Sequence, residues 1–327
     1  NCVLATAENL ESGYTKVYSA NISATIASDN NWIYQDGVPD ADTLIADTDR
    51  LPLQRGYTYR CEDTRIVKCT ATTLADALTE IENSTEYKWF YDSGKLYFSR
   101  PQTVNASHPI CYSSGVNGLF KNAINRAKEI SVKVVGIETK YMVFNVTNLS
   151  SAEIIECKSA NAYASGGFTY DRNMSAKFVR CEACRCQFGS NGDGFNGHGD
   201  NLGDVTSKQV GCTLIDCWSH DNRDDGYSDH ERSETLIIGG LYEYNGKGGI
   251  TPSYGSHCTC FGVISRHNYS GFYCCGEVAS AEGGIGTQML CIACVAENNT
   301  NPGTGYGFCV VNTGNLARLI NCKSIGN

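Results

Sequence analysis

Apolar and polar positions follow one rule over most of the chain and another near its start. From about residue 151 the sequence can be stacked on itself: Ile155-Glu-Cys157-Lys-Ser159, Val179-Arg-Cys181-Glu-Ala183, Ile215-Asp-Cys217-Trp-Ser219 and Ile320-Asn-Cys322-Lys-Ser324 share one alternation. The central positions, Cys157, Cys181, Cys217, Gly240, Val263, Cys294 and Cys322, lie 24, 36, 23, 23, 31 and 28 residues apart. A second column sets a glycine before an apolar residue at Gly167, Gly194, Gly226, Gly249, Gly271 and Gly307. From each glycine to the next centre the gaps are 14, 23, 14, 14, 23 and 15, so two coils carry the same excess of 9 residues.

A unit of this size cannot bury its apolar face alone and needs neighbours above and below. Short strands of alternating residues, joined by turns where Gly and Asn supply positive φ, form such a coil. Leucine-rich repeats lack support, because their Leu-x-x-Leu-x-Leu signature is missing, and stretches of helical period are nearly absent. The pattern predicts an all-β, single-stranded parallel β-helix over residues 111–327.

Residues 1–110 read as an N-terminal cap or inserted region. Strands are expected within Tyr14–Ile26 and Thr64–Thr72, and a short helix over Thr73–Asn83 with Leu74, Ala77, Leu78 and Ile81 on one face. Two aromatic arms, Tyr87 to Tyr91 and Lys95 to Phe98, flank Asp92-Ser93-Gly94 and predict a hairpin. Asp29–Arg60, rich in Asp, Pro and Gly, reads as a long loop between early coils.

Charge narrows the partners. With 26 basic and 35 acidic residues the net charge is −9, and a basic stripe for phosphate contacts is missing, which argues against nucleic acid. No apolar run reaches the roughly 20 residues of a membrane span. The chain lacks an initiating Met and a leader, and it reads as a fragment of something longer. Many Tyr, Asn and Gly residues suit neutral glycans. Eighteen cysteines in 327 residues are too dilute for a secreted disulfide scaffold. Cys181-x-x-Cys184-x-Cys186 and Cys291-x-x-Cys294 have zinc-like spacing, but burial of the aligned cysteines as free thiols accounts for the column without metal.

Ionisable residues align at one place. Asn191-Gly-Asp193-Gly-Phe195-Asn-Gly-His198 and Arg223-Asp-Asp225-Gly-Tyr227-Ser-Asp229-His230-Glu231 set Asp193 over Asp225 and His198 over His230. Counted from inward Phe195 and Tyr227, Asn196, Ser228 and both imidazoles point outward, the rings about 5 Å apart by strand spacing. The excess residues after His198, within 199–209, would set a loop beside them. Hydrolysis of a sugar needs two carboxyls, with Asp193 and Asp225 as first pair and Asp229 and Glu231 in reserve. Elimination or epimerisation of a uronic acid needs a base, His198 or His230, and a cation, Arg223 or Lys247. The rival view makes Asp193 and Asp225 corner-shaping turn residues, and His220 and His267 solvated turn positions. Calcium through Asp221, Asp224 and Asp225 is a further arrangement; no metal or cofactor is required.

The Gly-Phe/Tyr and Cys/Ile columns and the aromatic hairpin resemble the right-handed parallel β-helix superfamily of pectate lyases, glycan-cleaving hydrolases and bacteriophage tailspikes, over roughly residues 110–327. Gly194-Phe-Asn-Gly-His198 and Gly226-Tyr-Ser-Asp-His230-Glu231 are also similar to the Gly-Phe-Asp-Pro-His-Glu signature of mannuronan C5-epimerases, with Asn196 or Ser228 where that signature has its acid and with no proline. The tailspike resemblance implies a homotrimer in a virion tail, assembled in a reducing host cytoplasm, that binds and cleaves bacterial surface polysaccharide. The alternative is a non-catalytic adhesion or structural module of a virion or cell surface, secreted or anchored, using Tyr170, Trp218, Tyr242, Tyr254 and Tyr273 as stacking platforms.

Overall fold

A computed structural model of the chain describes residues 2–22, 32–35, 65–85, 87–100, 103–104, 110–113, 120–121, 131–140, 143–147, 149–160, 162, 166–171, 175–186, 192–199, 211–276, 286–300 and 305–327. The described residues form two compact units, one from residues up to 113 and one from 120 onward.

The second unit is a right-handed parallel β-helix. Three sheets of eight parallel strands each run its length: the first from Ser131–Val135 to Leu316–Ile320, the second from Glu138–Lys140 to Lys323–Ile325, the third from Phe120–Lys121 to Tyr306–Val310. One coil therefore passes Glu234–Ile238, Leu241–Glu243 and Gly248–Pro252 before the next begins at His257. Alternation sends Cys258 and Cys260 inward on the first sheet and Phe272 inward on the third. Register stacks like on like: Phe144, Phe168 and Phe195 follow each other at 5.1 and 5.0 Å between ring centroids, and Phe272 meets Phe308 at 4.8 Å.

Both corners of the second sheet depart from the sequence expectation for turns. Glu156, Arg180, Asp216, Gly239, Gly262, Ala293 and Asn321 share φ between 48° and 63°, so the left-handed corner is mostly filled by residues other than glycine. Such a conformation is unfavourable for an L-residue, and the ladder holds it: the N–H groups of Glu156, Arg180 and Asp216 donate to Val179, Ile215 and Ile238 of the next coil at 2.8–2.9 Å. The glycine column serves space instead. A Cβ on Gly194 would lie 1.9 Å from Ser219 Oγ, a hydroxyl that donates to the Gly226 carbonyl at 2.6 Å.

The cysteine column sits just after the left-handed corner. Cys181, Cys217, Cys294 and Cys322 each point a thiol at a carbonyl of the coil before, those of Ile154, Phe178, Cys260 and Cys291, at 3.3–3.6 Å. A small apolar side chain with a weak donor suits that position. Fifteen cysteines between Cys69 and Cys322 are free thiols, and Cys181 and Cys186 take part in packing rather than joining Cys184 in one three-sulfur cluster.

At the other corner an asparagine ladder runs through Asn222, Asn245, Asn268, Asn299 and Asn327. Each Oδ1 accepts both the backbone N–H and the side-chain amide of the asparagine one coil earlier, from Asn222 through Asn299, at 2.8–3.2 Å. The ladder satisfies corner N–H groups that would otherwise be buried unpaired.

The first unit is a mostly antiparallel eight-stranded sheet, so its strands are not early coils. Among the described residues its one parallel pairing is Arg65–Lys68 with Lys88–Asp92. The hairpin Lys88–Asp92/Lys95–Phe98 turns at Ser93 and Gly94, both with positive φ, the backbone of a tight two-residue turn. The helix Leu74–Asn83 is capped by Thr73, whose hydroxyl accepts the Asp76 N–H, and buries Ala77 and Ile81 beside Val17 and Tyr97. Trp32–Gln35 is a strand, while the rest of the expected loop Asp29–Arg60 lies outside the described residues. Among the described residues no helix is long and apolar enough to cross a membrane.

Candidate functional site

Two strands of the third sheet, Asp193–His198 and Tyr227–His230, are register neighbours, with Phe195 on Tyr227, Asn196 on Ser228 and His198 on His230. Phe195 and Tyr227 point into the coil, so Asn196, Ser228 and the two histidines lie on the outer face. The strand starts carry carboxyls and the strand ends carry imidazoles, separated by small buried polar residues including Asn196, Ser228 and Thr251.

At the strand ends the rings of His198 and His230 stack at 5.1 Å, tilted by 20°. His230 is held on both nitrogens, by the hydroxyls of Ser228 at 2.8 Å and Ser253 at 2.6 Å. Burial beneath its neighbours, and then the charge of His198, lower its pKa to about 4, so it is neutral near pH 7. His198 is the more accessible of the two: 34% of its side chain is exposed, and Nδ1 lies 3.4 Å from Glu231 Oε2. Glu231 has φ of 61° at the turn that ends its strand. Its carbonyl is packed against Gly199, where a Cβ would come within 1.8 Å of it, so only glycine lets the two coils close here. Tyr254, 41% exposed, stands 5.8 Å from the His230 ring and completes the patch.

At the strand starts the geometry differs. Asp193 opens its strand and Asp225 lies just before the next one, and with Asp224 they bring one carboxylate oxygen each within 4.8 Å of one another. All three are buried. Asp193 accepts the Asp225 N–H at 3.0 Å and the Asn196 amide at 2.7 Å. Asp225 accepts the Gly248 N–H at 2.7 Å and the Thr251 hydroxyl at 2.8 Å. Lys247 Nζ reaches Asp225 at 3.3 Å and Asp224 at 3.6 Å, so this cation is committed to the buried cluster. Burial, with the Asp225 and Asp224 carboxylates beside it, pushes the pKa of Asp193 well above the ordinary carboxylate range. Turn amides and hydroxyls thus satisfy the expected first pair.

The reserve carboxyls divide. Asp229 shares the parity of Tyr227 and faces into the coil, fully buried, accepting the Tyr227 and Thr235 hydroxyls at 2.5 and 2.6 Å. Burial raises its pKa against the opposing pull of these hydroxyls and of Ser233. Glu231 alone of the four expected carboxyls stands partly exposed beside an imidazole.

The expected stacking platforms need correction. Tyr170 and Tyr242 are fully buried core residues, because their positions fall on the inward parity of their strands. Trp218 is exposed but lies on the second sheet, stacked on His220 at 3.9 Å and donating to Glu243 at 3.0 Å. Tyr273 is half-buried on the third sheet. Arg223 lies in the turn before its strand, its N–H donating to the Cys186 carbonyl at 3.0 Å.

His220 is not a solvated turn residue. It is buried on the second sheet, with Nδ1 2.7 Å from Asp221 Oδ2 and Nε2 3.2 Å from Glu182 Oε1. Asp221 therefore serves His220 and is absent from the Asp193–Asp224–Asp225 cluster. His267 has positive φ and stacks on Tyr244 at 4.8 Å. The loop expected within 199–209 lies, past Gly199, outside the described residues. Compared with known proteins, the chain matches no protein-family model, no curated protein and no solved structure.

Proposed function

We propose that this β-helix binds a polysaccharide and acts on it by proton transfer at His198, with Glu231 orienting the imidazole and Tyr254 offering a sugar platform. The observation that carries the proposal is the strand-end group: a partly exposed imidazole, a carboxylate 3.4 Å from its Nδ1, and an exposed tyrosine beside a second, neutral histidine. A carboxylate on Nδ1 favours the tautomer whose Nε2 accepts a proton and stabilises the imidazolium that results. One accessible carboxyl favours abstraction of a sugar proton, as in elimination or epimerisation, over hydrolysis by two carboxyls. The finer identity, a trimeric phage tailspike acting on bacterial surface polysaccharide, rests on the resemblance of the repeat columns, a fold-level analogy.

Incubating the chain with host capsule or lipopolysaccharide tests the chemistry. Unsaturated uronate ends, or inverted uronates, support the proposal; new saturated reducing ends alone would point to hydrolysis instead. Binding with no product supports a second reading, an adhesion module, which the satisfied carboxyls of Asp193, Asp225 and Asp229 favour. Sedimentation equilibrium tests the trimer.

A further inference from the structure

The geometry points to a divalent-metal site on the second sheet, built from Glu182, Cys184 and His220 and separate from the strand-end imidazoles. Cys184 and His220 are register partners on successive coils, and Glu182 shares the outer parity of Cys184 two residues away. One ligand atom from each, a carboxylate oxygen, the thiol sulfur and a ring nitrogen, lies within 4.8 Å of the others.

The surroundings favour a metal over a simple polar contact. Asp221 holds His220 Nδ1 at 2.7 Å, which leaves Nε2 facing Glu182 at 3.2 Å. This is the carboxylate–histidine relay that orients metal-binding imidazoles. Trp218 covers the ring at 3.9 Å, and Cys184 is fully buried. Sulfur, nitrogen and oxygen together suit Zn²⁺ or its spectroscopic substitute Co²⁺. Lys158 lies 2.6 Å from Glu182 Oε1; a bound metal takes one oxygen of that carboxylate and leaves the other to the lysine. Binding forms one bond to each of S, N and O and releases the Cys184 proton to solvent, with any proton on Nε2. The metal would staple two successive coils.

The test uses the full chain, stripped with a chelator and titrated with Co²⁺. One equivalent should give a thiolate-to-cobalt charge-transfer band. Cys184→Ser should abolish that band, Asp221→Asn should weaken binding about 10–100-fold, and Cys186→Ser should leave it intact. Retention of the band in Cys184→Ser, or its absence from the parent chain, overturns the proposal. Should Cys184→Ser fail to fold, X-ray absorption on the zinc-loaded parent decides in its place. One sulfur at about 2.3 Å with nitrogen and oxygen neighbours supports the site; several sulfurs, or none, overturn it.

Discussion

Single residues in this chain are assigned by parity and by what closes over them. His198 and His230 stack as partners, yet one is partly exposed and the other is held between two hydroxyls. Replacing His198 by Gln should lower turnover on a glycan substrate about 10²–10⁴-fold while leaving binding within a few fold, read by comparing product release with retention on the polysaccharide. Glu231→Gln should keep part of the rate, because it perturbs the base without removing it. His230 yields a pH signature. Its folded pKa of about 4 lies below the unfolded value, so as pH falls from about 6.5 toward 4 the unfolded chain takes up the proton first. Native stability should drop over that window by on the order of 2–3 kcal/mol, with no further loss from this group below it. Buried Asp193 and Asp229, with raised pKa values, act in the opposite sense. Urea unfolding of the parent chain and of His230→Gln at pH 7 and pH 4.5 isolates the histidine in their difference.

Elements are where sequence reading went furthest and where its limits have clear causes. The stacking of His198 on His230 follows from glycines Gly194 and Gly226, since each fixes the same offset to its strand end. Parity also placed Asp229 beside Tyr227 on the inside, a consequence available from the sequence that counting carboxyls near a histidine obscured. Asn222, Asn245, Asn268, Asn299 and Asn327 repeat at 23, 23, 31 and 28 residues, the spacings of the centres from Cys217 to Cys322, so the ladder was legible but looked like ordinary turn composition. Cys184 and His220 likewise share the spacing of 36 between Cys181 and Cys217. The antiparallel first unit was less legible, because hairpins and short strands do not announce their partners. Asn245→Ala should cost about 2–4 kcal/mol, since it strands the Asn222 backbone N–H, takes one acceptor from the Asn222 amide and breaks the ladder in both directions; chemical denaturation measures it. Gly194→Ala should be still more damaging, because its Cβ meets Ser219 and Asn222 inside the coil.

At the scale of the molecule, stability is a sum over coils and the contacts between neighbours. Buried free thiols run through that stack, each near a carbonyl or packed with apolar residues. Native protein should therefore react slowly with a thiol reagent at all but a few positions, and denaturation without reductant should release at least the fifteen free thiols between Cys69 and Cys322. Detection of far fewer would mean that cysteine pairs had formed during folding.

The contact of Gly199 with the Glu231 carbonyl ties the histidine-bearing edge of one coil to that of the next through backbone alone. The first-sheet strand that follows His198 begins at Gly211, whereas the neighbouring coil passes from His230 to Glu234 with far fewer residues. A side chain at position 199 would push these two edges apart, so the closeness of the two imidazoles depends on the absence of a single carbon atom.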